Sequence, residues 1–353
     1  MAEEIWIGIL YPSAWELRSQ AELDADLAAI AAIDERLRVV DVRYVEPDEL
    51  RVARGARPYD GLREQAPALS DEQVDAFSRI EIALAQDLPF DIGTIAPRLR
   101  WVQGMGAGVG QLISAGLGDA GIRLTSAAGV NAVSISEFVL GRLLASWKRF
   151  AEIDRAQQDS QWQPFYGREL AGVTVGIIGL GAIGSAVARR LDAFDVHVLA
   201  SRRSFRPAMT APHVAELFGP ADLLSMLARC DAVVAAVPES PETVGVMGAE
   251  QFAAMKPGSF FCNVGRGSLV VEEALVEALQ SGHLGAAAID VARTEPLPSS
   301  SPLWAAPRLA ISAHCSTSAD RFYPNLYHLF GDNIRRYLSG GTLLNEVDIL
   351  ASR

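Results

Sequence analysis

Basic charge is what this 353-residue chain is short of: 31 Lys and Arg stand against 43 Asp and Glu, a formal net charge of -12. That balance argues against nucleic acid as the main partner. Cysteine is scarce as well, with Cys230, Cys262 and Cys315 the whole complement. An odd, sparse set excludes a disulfide framework and predicts a reduced, cytoplasmic protein. The N-terminus, MAEEIWIGIL, lacks the basic segment of a secretory signal. No internal repeat at solenoid periods and no low-complexity tail is present. One uncharged run, 170–188, has about the length of a membrane span. It holds five glycines and splits into a β-branched run, 173–178, and a helical pattern from Ala182 into Arg189 and Arg190. No membrane partner is therefore expected.

What is there is alternation. The length suits two domains. Strand patterns fall at 4–10, 38–45, 79–85 and 99–105, with helical periodicity over 22–37. This is a βαβ order, so a parallel sheet is predicted. The prolines and mixed charge of 46–72 predict an exposed connection. A long helix begins after Asn131, a candidate cap, with Ile135, Phe138, Val139, Leu143 and Trp147 as its apolar stripe. A second alternating series runs from Val173 to about Ile311. A last helix spans 319–339 and stops at Gly340-Gly341. The fold class is α/β, with two units.

GLGAIG (179–184) fits GxGxxG, a pattern of little weight alone. Here a buried strand precedes it and a helix follows, as a dinucleotide site requires. Gly179 permits the turn, Gly181 lets backbone approach a pyrophosphate, and Gly184 lets helix and strand pack closely. Ala182 and Ile183 open a helix whose N–H groups face the phosphates. The next strand, DVHVLA (195–200), ends in Ser201, Arg202 and Arg203. An NAD-preferring site carries a carboxylate about 20 residues beyond the glycines. Arginine there binds a 2′-phosphate that a carboxylate would repel. The reading is NADP(H) preferred, with NAD(H) the weaker cofactor; Arg206 reads as plain surface.

Three further stretches place polar residues just past strand ends, where ligands bind in open parallel sheets: NVGRG (263–267), DVARTEPLP (290–298) and ISAHCS (311–316). Arg266, Glu295 and His314 are thus candidates for one cleft. Cys315 beside His314 is not read as a nucleophile, since hydride transfer needs no covalent step. Cys262, on an apolar strand, reads as core.

From about WVQGMGAGVG (101–110) to DNIRRYLSGGTLLNEVD (332–348) the chain resembles the D-isomer-specific 2-hydroxyacid dehydrogenases. GRELAGVTVGIIGLGAIG (167–184), VPESPET (237–243), MKPGSFFCNVGRG (255–267) and DVARTEPLPSSSPLW (290–304) stand in family order. The resemblance implies two Rossmann-like parallel-sheet domains. A discontinuous substrate domain takes 1–128 and 316–353, and the dinucleotide-binding domain 129–315. It implies His314 as general acid, Glu295 as its partner, and Arg266 as the group that holds a 2-oxoacid and polarises its carbonyl. It implies Gly106, Ala107 and Gly108 as a backbone cradle for the substrate carboxylate. Val237, Pro238, Thr243 and Val264 become cofactor contacts, and Asp290 a partner of the nicotinamide carboxamide. No metal is expected.

The helix from Asn131 resembles the family's dimerisation arm, so a homodimer is expected. Ala313 stands where the family usually has proline, and Gly110 where Asp is frequent. These departures bear on which substrate, not on the reaction. The implied function is an NADPH-preferring reductase of a small 2-oxoacid such as glyoxylate or hydroxypyruvate, giving a D-2-hydroxyacid. Two alternatives stay open: a nucleotide-sensing, corepressor-like binding protein, and a phosphite-type dehydrogenase on the same scaffold. Glu295, where formate enzymes of this fold have glutamine, argues against formate.

Overall fold

The structure is a computed structural model that describes residues 3–11, 19–55, 59 and 61–349. The chain divides into two compact units, residues 1–130 with 319–353, and residues 131–318. Within the first unit the chain order is β1 (Ile5–Ile9), α1 (Gln20–Ala31), β2 (Leu37–Asp41), α2 (Asp48–Arg54), α3 (Asp71–Arg79), β3 (Ile80–Ala85), α4 (Ile92–Ile95), β4 (Trp101–Gly104), α5 (Gly110–Ile113) and β5 (Arg123–Thr125). The second unit runs α6 (Ala132–Trp147), α7 (Phe150–Gln158), β6 (Thr174–Ile178), α8 (Ala182–Asp192), β7 (His197–Ser201), β8 (Glu216–Phe218), α9 (Leu223–Leu227), β9 (Ala232–Ala235), α10 (Ala249–Ala254), β10 (Ser259–Asn263), α11 (Glu272–Gln280), β11 (Leu284–Ile289) and β12 (Leu309–Ile311). The final helix, α12 (Ala319–Leu338), returns to the first unit.

Both sheets are parallel, as the βαβ alternation requires. Their orders are β2-β1-β3-β4-β5 and β12-β11-β10-β9-β6-β7-β8. The second sheet reverses direction between β6 and β9, so the carboxyl end of β6 lies at a topological switch point. Each sheet is buried on both faces, and strands such as Thr174–Ile178 accordingly read as near-continuous apolar runs. The uncharged run 170–188 is therefore a strand, a turn and a helix. Among the described residues no helix is long and apolar enough to cross a membrane.

The C-terminal helix completes the first unit's core. Tyr323, Leu326, Tyr327, Phe330 and Ile334 form one buried stripe at helical spacing. Trp101 on β4 packs against it, 5.5 Å from Phe330 and 5.7 Å from Tyr337 between ring centroids. Asn333, fully buried, donates to Gln103 Oε1 at 3.1 Å and accepts from the Leu344 N–H at 2.7 Å. Gln103 in turn accepts from Thr125, which takes the Trp101 indole N–H. The strand that leads into the 106–108 loop is thus braced by residues more than 200 positions away.

The structure departs from the sequence reading in three places. The helix over 22–37 stops at Ala31, because the chain turns at Asp34, whose carboxylate takes the Arg36 guanidinium at 2.8 Å, and β2 begins at Leu37. Asn131 precedes α6, but its side chain makes no capping bond. The connection 46–72, of which 56–58 and 60 lie outside the described residues, is not uniformly exposed. It contains α2, with Arg54 and Leu50 buried. Arg54 donates from Nε to Ser114 Oγ at 2.7 Å and from Nη1 to the Leu88 carbonyl at 2.7 Å, pairs with buried Glu46, and lies 3.9 Å above the Phe90 ring. Beside it, Arg51 holds buried Asp87 through two bonds of 2.6 and 2.7 Å.

Removing one member of a buried ion pair leaves the other charge desolvated. Arg54→Ala is therefore expected to destabilise the first unit by about 3–5 kcal/mol, read as a lowered urea midpoint. A midpoint within experimental error of the parent would contradict a structural role for the pair.

Candidate functional site

The functional residues of the second unit hang from strand ends. Gly179 follows β6 with φ +97°, a conformation that disfavours any side chain. A Cβ on Gly184 would stand 2.0 Å from the Gly179 carbonyl oxygen, so helix α8 approaches the turn as closely as backbone allows. The first intrahelical bond runs from Ser185 N–H to the Gly181 carbonyl. The N–H groups of Ala182, Ile183 and Gly184 meet no acceptor among the described residues. Together with the helix dipole they form an anion site of the right chemistry for a pyrophosphate.

At the neighbouring strand end Ser201 is buried and closes β7. Arg202 donates its backbone N–H to the Phe218 carbonyl and its Nε to Ser204 Oγ at 3.0 Å. Arg203 is exposed and makes no hydrogen bond or ion pair among the described residues. The chain carries no carboxylate at this strand end itself, although the Glu242 carboxylate, on a separate loop, is near enough to feel the Arg203 charge. On the opposite side of the switch point Thr243 Oγ1 donates to the Pro238 carbonyl at 2.8 Å and closes the loop that starts at Val237. Val264 is buried, its N–H on the Ala235 carbonyl.

Beyond β10, β11 and β12 stand Arg266, Glu295 and His314. The His314 Nδ1 lies 2.8 Å from Glu295 Oε2. A carboxylate there selects the tautomer with its hydrogen on Nδ1 and leaves Nε2 outward. That bond, and then the Glu295 charge, raise the His314 pKa above its ordinary value, against the opposing effects of burial and of the Arg266 charge. Burial pushes the Glu295 carboxyl up, but His314, the Ala292 N–H at 3.0 Å and the Arg266 charge outweigh it and leave it lowered. Arg266 is thus close enough to act on both partners. His314 has φ +52°, in the left-handed region.

The loops meet because glycine permits it. A Cβ on Gly267 would fall 1.9 Å from the Ala292 backbone carbon. The Arg266 turn therefore packs directly on the backbone that leads to Glu295. Asp290 is buried; its carboxylate takes the Ser312 hydroxyl at 2.6 Å and the N–H groups of Cys315 and Ser316 at 3.0 and 3.1 Å. Cys262 is fully buried, with its thiol pushed up to about 12 by burial, and has no nucleophilic character. In the first unit the N–H groups of Gly106, Ala107 and Gly108 follow β4 and meet no acceptor among the described residues.

One buried residue escaped the sequence reading. Asn263, the last residue of β10, accepts the Gly265 N–H at 3.1 Å and donates to the Arg266 carbonyl at 2.9 Å. A single polar residue closing the apolar strand SFFCN was the available signal.

Because Glu295 is the leading cause that raises the His314 pKa, Glu295→Gln should move the imidazole titration to lower pH, read by NMR on the His314 ring. An unchanged or higher midpoint would contradict the pairing.

A family model described as D-isomer specific 2-hydroxyacid dehydrogenase, NAD binding domain, matches residues 140–316. The chain is 31% identical over 325 residues to a D-3-phosphoglycerate dehydrogenase of Mycobacterium leprae, covering 91% of this chain and 57% of that one. It thus spans little more than half the length of that relative. It is 32% identical over 240 residues to glyoxylate/hydroxypyruvate reductase A of Serratia proteamaculans, covering 66% of this chain and 76% of that one. Among solved structures, a D-isomer specific 2-hydroxyacid dehydrogenase from Xanthobacter autotrophicus Py2, in complex with NADPH and MES, matches with a TM-score of 0.75 and 27% identity over all of both chains. The glycine turn, the loops beyond β10 to β12 and these matches agree: the chain belongs to the D-isomer specific 2-hydroxyacid dehydrogenase family.

Proposed function

We propose that this chain is an NADPH-preferring reductase of a small 2-oxoacid of the glyoxylate or hydroxypyruvate kind, giving a D-2-hydroxyacid. The observation that carries the reading is the His314–Glu295 pair at 2.8 Å with the Arg266 charge acting on both. Reduction of a carbonyl needs a proton for the oxygen and positive charge near it. His314, whose imidazolium form Glu295 favours, supplies the first from Nε2. Arg266 supplies the second and pairs with a carboxylate. The nicotinamide cofactor, when bound, supplies the hydride.

The residues that would hold that cofactor are Gly179, Gly181, Ala182, Ile183 and Gly184 at the pyrophosphate. Ser201, Arg202 and Arg203 would stand at the adenosine 2′-phosphate, Val237, Pro238, Thr243 and Val264 along the cofactor, and Asp290 near the carboxamide. The Xanthobacter structure's NADPH and the exposed guanidinium of Arg203 support NADP(H) over NAD(H). Gly106, Ala107 and Gly108, with unpaired N–H groups in the first unit, have the chemistry of a carboxylate cradle. We assign residues 1–128 and 316–353 to substrate and 129–315 to cofactor; the two compact units, 1–130 with 319–353 and 131–318, support a division near those bounds.

We also propose a homodimer formed through α6, α7 and the segment after them. Trp162 and Tyr166 on that segment are 104% and 85% exposed. Tyr166 lines a groove of about 870 Å³ together with Trp147, Phe260, Ala288, Ala310, Arg142 and Arg308. Exposed aromatics next to an apolar groove suit a self-complementary contact.

Replacing Arg202 and Arg203 by alanine should raise the NADPH KM by about 10- to 100-fold and leave NADH nearly unaffected; equal effects on both cofactors would remove the 2′-phosphate assignment. His314→Ala should lower kcat by about 100-fold or more while NADPH still binds; near-normal turnover would take His314 out of the reaction. In light scattering the protein should run at twice 37.8 kDa and Trp162→Glu should shift it toward one chain. A monomeric parent would contradict the dimer.

A further inference from the structure

We propose that Asn263 and Asp290 are a pair of positioning residues: buried side by side at the ends of β10 and β11, they set where Arg266 and His314 stand. The inference rests on the reductase reading and deepens it. The two residues are 1% and 2% exposed and are joined directly, the Asp290 N–H donating to the Asn263 carbonyl at 3.0 Å. Each closes one functional loop onto itself. Asn263 takes the Gly265 N–H on Oδ1 and gives Nδ2 to the Arg266 carbonyl, so the backbone on both sides of the Arg266 turn is tied to one amide. Asp290 gathers Ser312 Oγ, Cys315 N–H and Ser316 N–H on its carboxylate, and its own carbonyl accepts the His314 N–H at 2.8 Å.

The second loop needs that many ties. His314 is a non-glycine residue at φ +52°, a conformation that persists only when its surroundings over-determine it. Four hydrogen bonds to one aspartate do so. The donor and acceptor pattern also explains the residue types. At 263 the side chain must accept from an N–H and donate to a carbonyl, which an amide does and a carboxylate does not. At 290 it faces three donors and no acceptor, which suits a carboxylate and leaves an amide's NH2 against another donor whichever way it turns. The near-isosteric exchanges Asn263→Asp and Asp290→Asn each set one mismatched group against the loop and change one unit of charge, and neither alters packing volume appreciably.

The contacts separate the two effects. Asn263 acts on Arg266, so its replacement should appear in oxoacid binding. Asp290 acts on His314, so its replacement should appear in proton delivery. The charged groups facing His314 are Glu295, Arg266 and Asp290. Removing the Asp290 charge would by itself lower the His314 titration, so the charge-neutral change Ser312→Ala, which deletes one tie to the carboxylate, is the companion variant.

The experiment measures, for Asn263→Asp, Asp290→Asn and Ser312→Ala in the full chain, glyoxylate kcat and KM, NADPH Kd by fluorescence, and the His314 ring titration by NMR. The sequence holds five histidines, and loss of one signal in His314→Gln assigns the ring. Asn263→Asp should raise glyoxylate KM about tenfold, and its added carboxylate should leave the His314 midpoint in place or higher, never lower. Asp290→Asn should lower kcat by about 10- to 100-fold and move the midpoint down, and Ser312→Ala should do both to a smaller degree. NADPH Kd should hold in Asn263→Asp and Ser312→Ala; Asp290→Asn is left out of that control because Asp290 would also stand near the carboxamide. A His314 midpoint unmoved in Ser312→Ala together with parental kcat, or parental KM in Asn263→Asp, overturns the proposal. If Asp290→Asn does not fold, Ser312→Ala decides that half. If the parent reduces no oxoacid, the reductase reading fails, and the His314 titration in Ser312→Ala still decides whether the loop is held through Asp290.

Discussion

The hydrogen bond between Glu295 and His314 is the contact on which the functional edge of the second unit depends. It joins a loop after β11 to a loop after β12, selects the imidazole tautomer and favours the charged form of the ring. Everything near it serves that geometry. Parallel strands deliver their carboxyl ends to one side of the sheet. Gly267 lets the Arg266 turn lie against the backbone leading to Glu295. The left-handed backbone at His314 turns its ring toward the carboxylate at a local conformational cost of about 1–3 kcal/mol. That cost is offset by the bonds that Asp290 makes to Ser312, Cys315 and Ser316.

The same economy of charge runs through the cofactor side. The chain is acidic overall, yet the end of β7 carries two arginines and no carboxylate. A local reversal of sign at a strand end directs an anion to one place without making the whole surface adhesive to anions. The glycine turn contributes no side chain at all. It offers unpaired N–H groups and the positive end of α8, a chemistry that suits phosphate without a formal charge.

Much of this was legible in the sequence. GLGAIG sits between an apolar run and a helical pattern, and Arg202, Arg203, Arg266, Glu295 and His314 each follow a strand signal. A polar residue just past a short apolar run is a local pattern, so the sequence carries it. What was not legible depends on contacts between distant segments. Nothing in the composition of 46–72 says that Arg54 is buried, because its partners are Glu46, Leu88 and Ser114 and only folding brings them together. Ile33 and Leu37 extend the apolar phase of α1 past its end, so periodicity overran a turn made by Asp34 and Arg36. Asn263 and Ser312 were not singled out, since Asn263 bonds to backbone groups that a sequence does not display and Ser312 to a carboxylate 22 residues away.

The most direct test is the initial rate of NADPH oxidation by the purified chain with glyoxylate, hydroxypyruvate and pyruvate. The same substrates are then run with NADH, and D-3-phosphoglycerate is offered in the reverse direction with NADP and NAD. The account predicts turnover of a small 2-oxoacid, faster at limiting cofactor with NADPH than with NADH. Turnover confined to the phosphorylated substrate, or tight NADPH binding with no turnover of any 2-oxoacid, would contradict it.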